Sequence, residues 1–199
     1  MKLYSAGASP YSRKVRVLVS ELGLTGRVQV LEQAPRDNST GYFAVNPLAR
    51  VPALITDDGA VLYDSPVICE YLNTLANGSF IPAAGAQRWD ALRRQALGDG
   101  LLDNGLPLRG ELLRAKELQA ADLISRHRAT IDRVLDASNQ EPTIVQGSTL
   151  DIGAVAIACA IGWIDFRFAD WGWRATRPAL AAWLAQIEAR PSLQSTKPA

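Results

Sequence analysis

The 199-residue chain balances 21 lysines and arginines against 20 aspartates and glutamates, for a net charge of +1. Seven basic and seven acidic residues precede Ser79, and fourteen and thirteen follow it. Neither half therefore has the basic excess of a nucleic-acid binder or a polybasic membrane patch. Hydrophobic content of 48% and charged content of 21% are those of an ordinary globular protein, with length for one large or two small domains.

Two cysteines, Cys69 and Cys159, sit within apolar helical patterns and read as buried, reduced hydrophobes rather than a disulfide framework. The lone histidine, His127, lies in the charged run Ser125-Arg126-His127-Arg128 and reads as a solvated helical residue. With no Cys/His cluster, no zinc site is expected. Met1-Lys2-Leu3-Tyr4 lacks the apolar run of a signal peptide, and Ile152 to Ile164 is too short to span a bilayer. The expectation is a cytoplasmic protein.

In chain order, Lys2-Leu3-Tyr4 reads as a short strand and Ser5-Ala6-Gly7-Ala8 as a small-residue loop. A helix then opens at Ser9-Pro10, with Val15, Leu18, Val19 and Leu22 at the 3.6 period and Gly23 as its stop. Pro10 falls in the first turn, where its missing N–H costs nothing. Ser9 stands at the helix mouth among unpaired N–H groups and the positive dipole end, a place that suits an anion.

Val28 to Leu31 is a second strand, and strand–helix–strand implies a parallel, right-handed crossover. Residues 32–50 are irregular, with a short helical turn expected between Thr40 and Val45. Val51-Pro52-Ala53-Leu54-Ile55 and Ala60-Val61-Leu62-Tyr63 form a hairpin about Asp57-Asp58-Gly59. Asp64-Ser65-Pro66 then opens a helix to about Leu75, with Ile68, Tyr71, Leu72 and Leu75 on its apolar face.

Asn77-Gly78-Ser79 followed by Ile81-Pro82 marks a break, and strand signals vanish after Ala86. Helices are predicted over Gln87 to Asn104, Glu111 to Ala137 (with Leu112, Leu118, Ile124, Ile131 and Leu135 buried), from Ser148 onward, and over Pro178 to Ala189, which Pro191 ends. Gly98, Gly100 and Gly105 predict a bend or a close approach of backbones. Ser148 fits an N-cap with Asp151 as its reciprocal partner. The helix that follows, apolar all round, is expected at the centre of a bundle. Trp163, Phe166, Phe168, Trp171 and Trp173 crowd the segment after it, as helix packing or in part as a wall of an apolar pocket.

Ser9-Pro10-Tyr11-Ser12 resembles the active-site turn of thioredoxin-fold proteins, with serine where redox members carry paired cysteines. With Val51-Pro52 and Asp64-Ser65, it resembles the cytosolic glutathione S-transferases, and more narrowly their bacterial, serine-type (theta/zeta-like) members. The resemblance covers nearly the whole chain. It implies a thioredoxin-like α/β domain over residues 1–78, a linker over 79–86 and an all-helical domain over 87–199.

It also implies glutathione as co-substrate, no metal, a homodimer, and transfer of the glutathione thiolate to small hydrophobic electrophiles, as in detoxification. Isomerase or dehalogenase chemistry, or a non-catalytic binding role, would use the same fold. Ser9 is the implied thiolate partner and Ser12 the runner-up; Ser9 as a plain helix cap stays open.

A free thiol has a pKa of about 8.5, and lowering it by two units takes roughly 2.7 kcal/mol. One hydroxyl hydrogen bond to a charged sulfur supplies roughly 1.5–3 kcal/mol, and a helix N-terminus up to about 1 more. Val51, before an implied cis Pro52, would pair with the extended ligand like an added strand. Asp64 and Ser65 would hold the γ-glutamyl end at a helix N-terminus, against ordinary capping by one of them. Arg50 would meet the glycyl carboxylate, or is a solvated surface arginine. Asp99 or Asp103 would reach the γ-glutamyl amine from a neighbouring subunit.

Overall fold

The computed structural model describes residues 1–147 and 150–198. They form two compact units, one of residues 1–88 together with the chain from Pro191 onward, the other of residues 89–190.

The first unit runs β1 (Lys2–Ser5), α1 (Pro10–Glu21), β2 (Gln29–Glu32), a 3-10 turn (Tyr42–Ala44), β3 (Ala53–Ile55), β4 (Val61–Leu62) and α2 (Ser65–Leu75). The sheet order is β2-β1-β3-β4. β1 pairs parallel with β2, as the α1 crossover requires. It pairs antiparallel with β3, which pairs antiparallel with β4 across the hairpin. Gly59 supplies the positive φ of 87° in that turn.

Leu3 and Leu54 of the sheet are fully buried, as are Val15, Val17 and Leu18 of α1 and Ile68 and Leu72 of α2. Arg13 and Lys14 of α1 are buried too. The reason is the C-terminal segment. Pro191, expected only to end a helix, instead starts the short helix Pro191–Gln194, and Arg13 Nη2 donates to Leu193 O at 3.1 Å. The expected second domain ran to residue 199, whereas the chain from Pro191 packs with the first unit.

After α2, the second unit is built on α3 (Gly85–Leu112), α4 (Ala121–Gln140), α5 (Pro142–Val145), α6 (Ile152–Arg167), α7 (Trp173–Thr176) and α8 (Pro178–Glu188). Every residue from Ile152 to Ile164 is buried, as expected of a central helix.

α3 and α6 run parallel in a definite register. Arg94 meets Asp151, Gly98 meets Ala156 and Ile157, and Gly105 meets Trp163 and Ile164. A Cβ at Gly98 would lie 2.7 Å from the Ala156 carbonyl carbon, so glycine here lets two backbones touch.

This packing explains a correction. The sequence places a helix break between Asn104 and Glu111, but α3 runs through Pro107 to Leu112. Packing against α6 overrides the weak propensity of the glycine- and proline-bearing stretch. The break falls instead at residues 113–120, so Leu112 and Leu118 are 40% and 58% exposed rather than buried. No single described helix is long and apolar enough to cross a membrane.

The start of α6 is also corrected. Its N-cap is Asp151, whose carboxylate accepts the Ala154 N–H at 2.9 Å. Ser148 lies outside the described residues.

Candidate functional site

Strand register gathers three segments at one end of the sheet. Tyr4 pairs with Ala53 and Leu54 with Leu62. The chain therefore leaves β1 into Ala6–Ser9, enters β3 from Val51-Pro52 and leaves β4 into Tyr63–Ser65 at the same edge. Ala6, Tyr42, Val51 and Ala53 form one buried apolar cluster there, with Tyr4 and Val45 packed on it.

Ser9 is the N-cap of α1 and is only partly buried; its Oγ accepts the Ser12 N–H at 3.2 Å. Accepting that bond leaves its hydroxyl proton available to donate elsewhere. Ser12 is fully buried, and its Oγ accepts the Ala6 N–H at 3.4 Å, which holds the loop before Ser9.

The Val51–Pro52 peptide is cis, and both residues are buried. The Arg50 side chain is exposed. Its carbonyl is gripped by two donors, Tyr42 Oη at 2.6 Å and Asn46 Nδ2 at 2.7 Å. The sequence gives little warning of this grip, since Asn46 falls within residues 32–50, expected only to be irregular. The buried Tyr42 phenol is pushed upward in pKa, chiefly by desolvation. Gln33, also buried, ties the preceding loop by donating to Ala34 O and Asp37 O.

Asp64 is the N-cap residue of α2, yet its carboxylate makes no capping hydrogen bond. Ser65, next to it, is 1% exposed, and its Oγ has no hydrogen-bond partner. Ser5 at the end of β1 likewise has a buried, unpartnered hydroxyl. Such groups are uncommon and costly unless a ligand or water satisfies them.

In the second unit, Asp99 and Asp103 both lie on α3, the first half-buried and the second exposed. His127, expected to be solvated, is half-buried, with Nδ1 3.0 Å from Asn104 Oδ1. The aromatic cluster packs on itself: Phe168 stacks on Trp171 at 4.1 Å, and Trp163 meets Phe168 edge-on at 5.9 Å.

Residues 8–75 match the family profile of the glutathione S-transferase N-terminal domain, and residues 121–186 that of its C-terminal domain. A GST-like protein of Escherichia coli K12, YibF, is 32% identical over 100% of this chain and 98% of its own length. The chain belongs to the glutathione S-transferase family. A glutathione transferase family member from Pseudomonas fluorescens Pf-5, solved with bound glutathione, superposes with a TM-score of 0.94. It is 40% identical, covering 100% of this chain and 98% of that one. Over 75 residues, 36% of this chain and 35% of that one, the maleylacetoacetate isomerase of Pseudomonas aeruginosa is 39% identical.

As a glutathione S-transferase family member, the chain has the mixed four-stranded sheet and helical second unit of its solved relatives. Every segment of the site, from Ser9 to Ser65, falls inside the N-terminal match. Among the described residues, no group of three or more His, Cys, Asp and Glu is arranged to hold a metal ion.

Proposed function

We propose that this protein binds glutathione in its first unit and delivers the thiolate to small hydrophobic electrophiles. The observation that carries the reading is Ser65, a buried hydroxyl without a partner at the N-terminus of α2. A carboxylate placed there meets the Ser65 hydroxyl and the first-turn amides, at the positive end of the helix. Asp64, uncommitted to capping, is left to face the γ-glutamyl amine. Val51 offers its backbone to the extended ligand, and Arg50 stands next to it for the glycyl carboxylate.

In this reading Ser9 donates to the sulfur. It is partly exposed at the mouth of α1 and its proton is not used by its own cap, whereas Ser12 is buried and holds Ala6. The hydroxyl and the dipole together cover the roughly 2.7 kcal/mol that two units of thiol acidity require. The protein then works in a reducing, cytoplasmic setting, which its two buried cysteines, not joined in a disulfide, suit. It works as a homodimer in which Asp99 or Asp103 reaches the γ-glutamyl amine of the neighbouring subunit.

A second reading, glutathione-dependent isomerisation, is favoured by the likeness to maleylacetoacetate isomerase over 75 residues. It uses the same thiolate and differs in returning glutathione unchanged. The test is ultraviolet titration of the thiolate of bound glutathione. The native protein is expected to show thiolate well below pH 8.5, and Ser9→Ala to move the midpoint up by about one to two units. An unmoved midpoint removes Ser9 from this role.

A further inference from the structure

The parallel register of α3 and α6 continues beyond its last glycine contact. One turn past Gly105 and Trp163 stand Arg109 and Arg167, each in the last turn of its helix. The two guanidinium groups repel each other: burial, and then the charge of Arg109, hold Arg167 below its ordinary range. Among the described residues neither is paired with an acid. The neighbouring carboxylates are committed elsewhere. Asp165 accepts from Arg174 and from Trp173 Nε1, and Glu111 from Arg114 and the Ala120 amide.

Arg167 Nε is buried with no acceptor, and its guanidinium lies 3.9 Å from the centre of the Phe166 ring. Each arginine also sits at the negative end of its own helix dipole, which favours a cation. That effect explains a positive charge at each terminus; it does not supply an acceptor for Nε. The complement of two adjacent guanidinium groups is a planar oxyanion that accepts from both.

The surroundings specify the remainder of the ligand. Leu106 lies three residues before Arg109 on its face of α3, and Leu113, just past the helix end, donates its N–H to Arg109 O at 3.1 Å. They are 41% and 69% exposed, and Phe166 is 37% exposed. An anion alone would leave this surface wet; an apolar body attached to the anion would cover it.

We propose that Arg109 and Arg167 form a carboxylate-binding site in the helical unit, and that the second substrate is an apolar organic acid. The inference rests on the transferase reading above and narrows its substrate class.

The probes are para-chloro-meta-nitrobenzoate and its neutral amide, which share ring and leaving group and differ in charge. In turnover the glutathione sulfur forms a bond to the ring carbon that bore chlorine. Chloride leaves with the bonding electron pair, and the thiol proton goes to solvent.

Calorimetric titration without glutathione is expected to show the acid binding about tenfold or more tighter than the amide, with Arg109→Gln and Arg167→Gln each abolishing that preference. With glutathione, the same variants should lower kcat/KM for the acid by about 10- to 100-fold and leave the amide within about twofold. Thermal melting should stay near native in both variants, because the repulsion removed offsets the helix-end charge lost. Equal binding of acid and amide to the native protein overturns the proposal, as does an unchanged acid preference in the variants or a fall in melting temperature without loss of acid binding. Arginine-dependent acid binding with no turnover of either compound supports the carboxylate site and sinks the transferase reading instead.

Discussion

Arg94 grips Asp151 through two hydrogen bonds, Nη1 to Oδ1 at 3.1 Å and Nη2 to Oδ2 at 2.6 Å, while Oδ1 also accepts the Ala154 N–H. Their side chains are only 7% and 12% exposed. One carboxylate thus caps the central helix α6 and fastens it to α3. Asp151→Ala removes the cap and strands a buried guanidinium that keeps only Asp90. It should cost about 3–5 kcal/mol in urea unfolding; a loss below about 1 kcal/mol would contradict this pairing.

Gly98 and Gly100, two residues apart on α3, separate packing from propensity. At Gly98 a Cβ would press the Ala156 and Ile157 backbone at 2.7–2.8 Å; at Gly100 it would meet nothing within 4 Å. Gly98→Ala should destabilise by about 1–3 kcal/mol. Gly100→Ala should stabilise by up to about 1 kcal/mol. Chemical denaturation of the two variants checks the pair of opposite signs.

Ser9→Ala should lower turnover by one to two orders of magnitude, on the order of 1.5–3 kcal/mol of transition-state stabilisation. It also removes the bond that Ser9 Oγ accepts from Ser12 N, so stability should fall by about 0.5–2 kcal/mol. Steady-state kinetics beside thermal melting separates the two effects. Turnover at the native level in a destabilised Ser9→Ala variant would mean that Ser9 is a cap and nothing more.

Much of the first unit was legible because its signals are local. The Ser9-Pro10 helix start, the Asp57-Asp58-Gly59 turn and the alternation of small strands each report their own conformation within a few residues. The helical unit was less so. Nothing near Pro107 reveals that α6 runs alongside and holds α3 straight through it, since that contact pairs Gly105 with Trp163, 58 residues later. Asp151 was recognised as part of a cap, but its partner Arg94 lies 57 residues away in sequence. At the site, Val51, Asp64 and Ser65 stood out through a resemblance, whereas the Tyr42 and Asn46 grip on Arg50 is tertiary and carried no pattern of its own.

That grip makes its own prediction. Tyr42→Phe and Asn46→Ala each leave the Arg50 carbonyl one donor, at roughly 0.5–1.5 kcal/mol. The double variant leaves it none, so the two losses should add to more than their sum. Because the Arg50–Val51 peptide is loosened rather than removed, glutathione affinity should fall while kcat at saturating glutathione stays near native. A kcat collapse with unchanged affinity would contradict this role.

The most direct test of the account is calorimetric titration with glutathione of the native protein and of Ser65→Ala. The account predicts saturable one-site binding by the native chain and an affinity weaker by about tenfold or more in the variant, because the buried hydroxyl has no other partner. Binding that is absent from the native protein, or unaltered by Ser65→Ala, would contradict it.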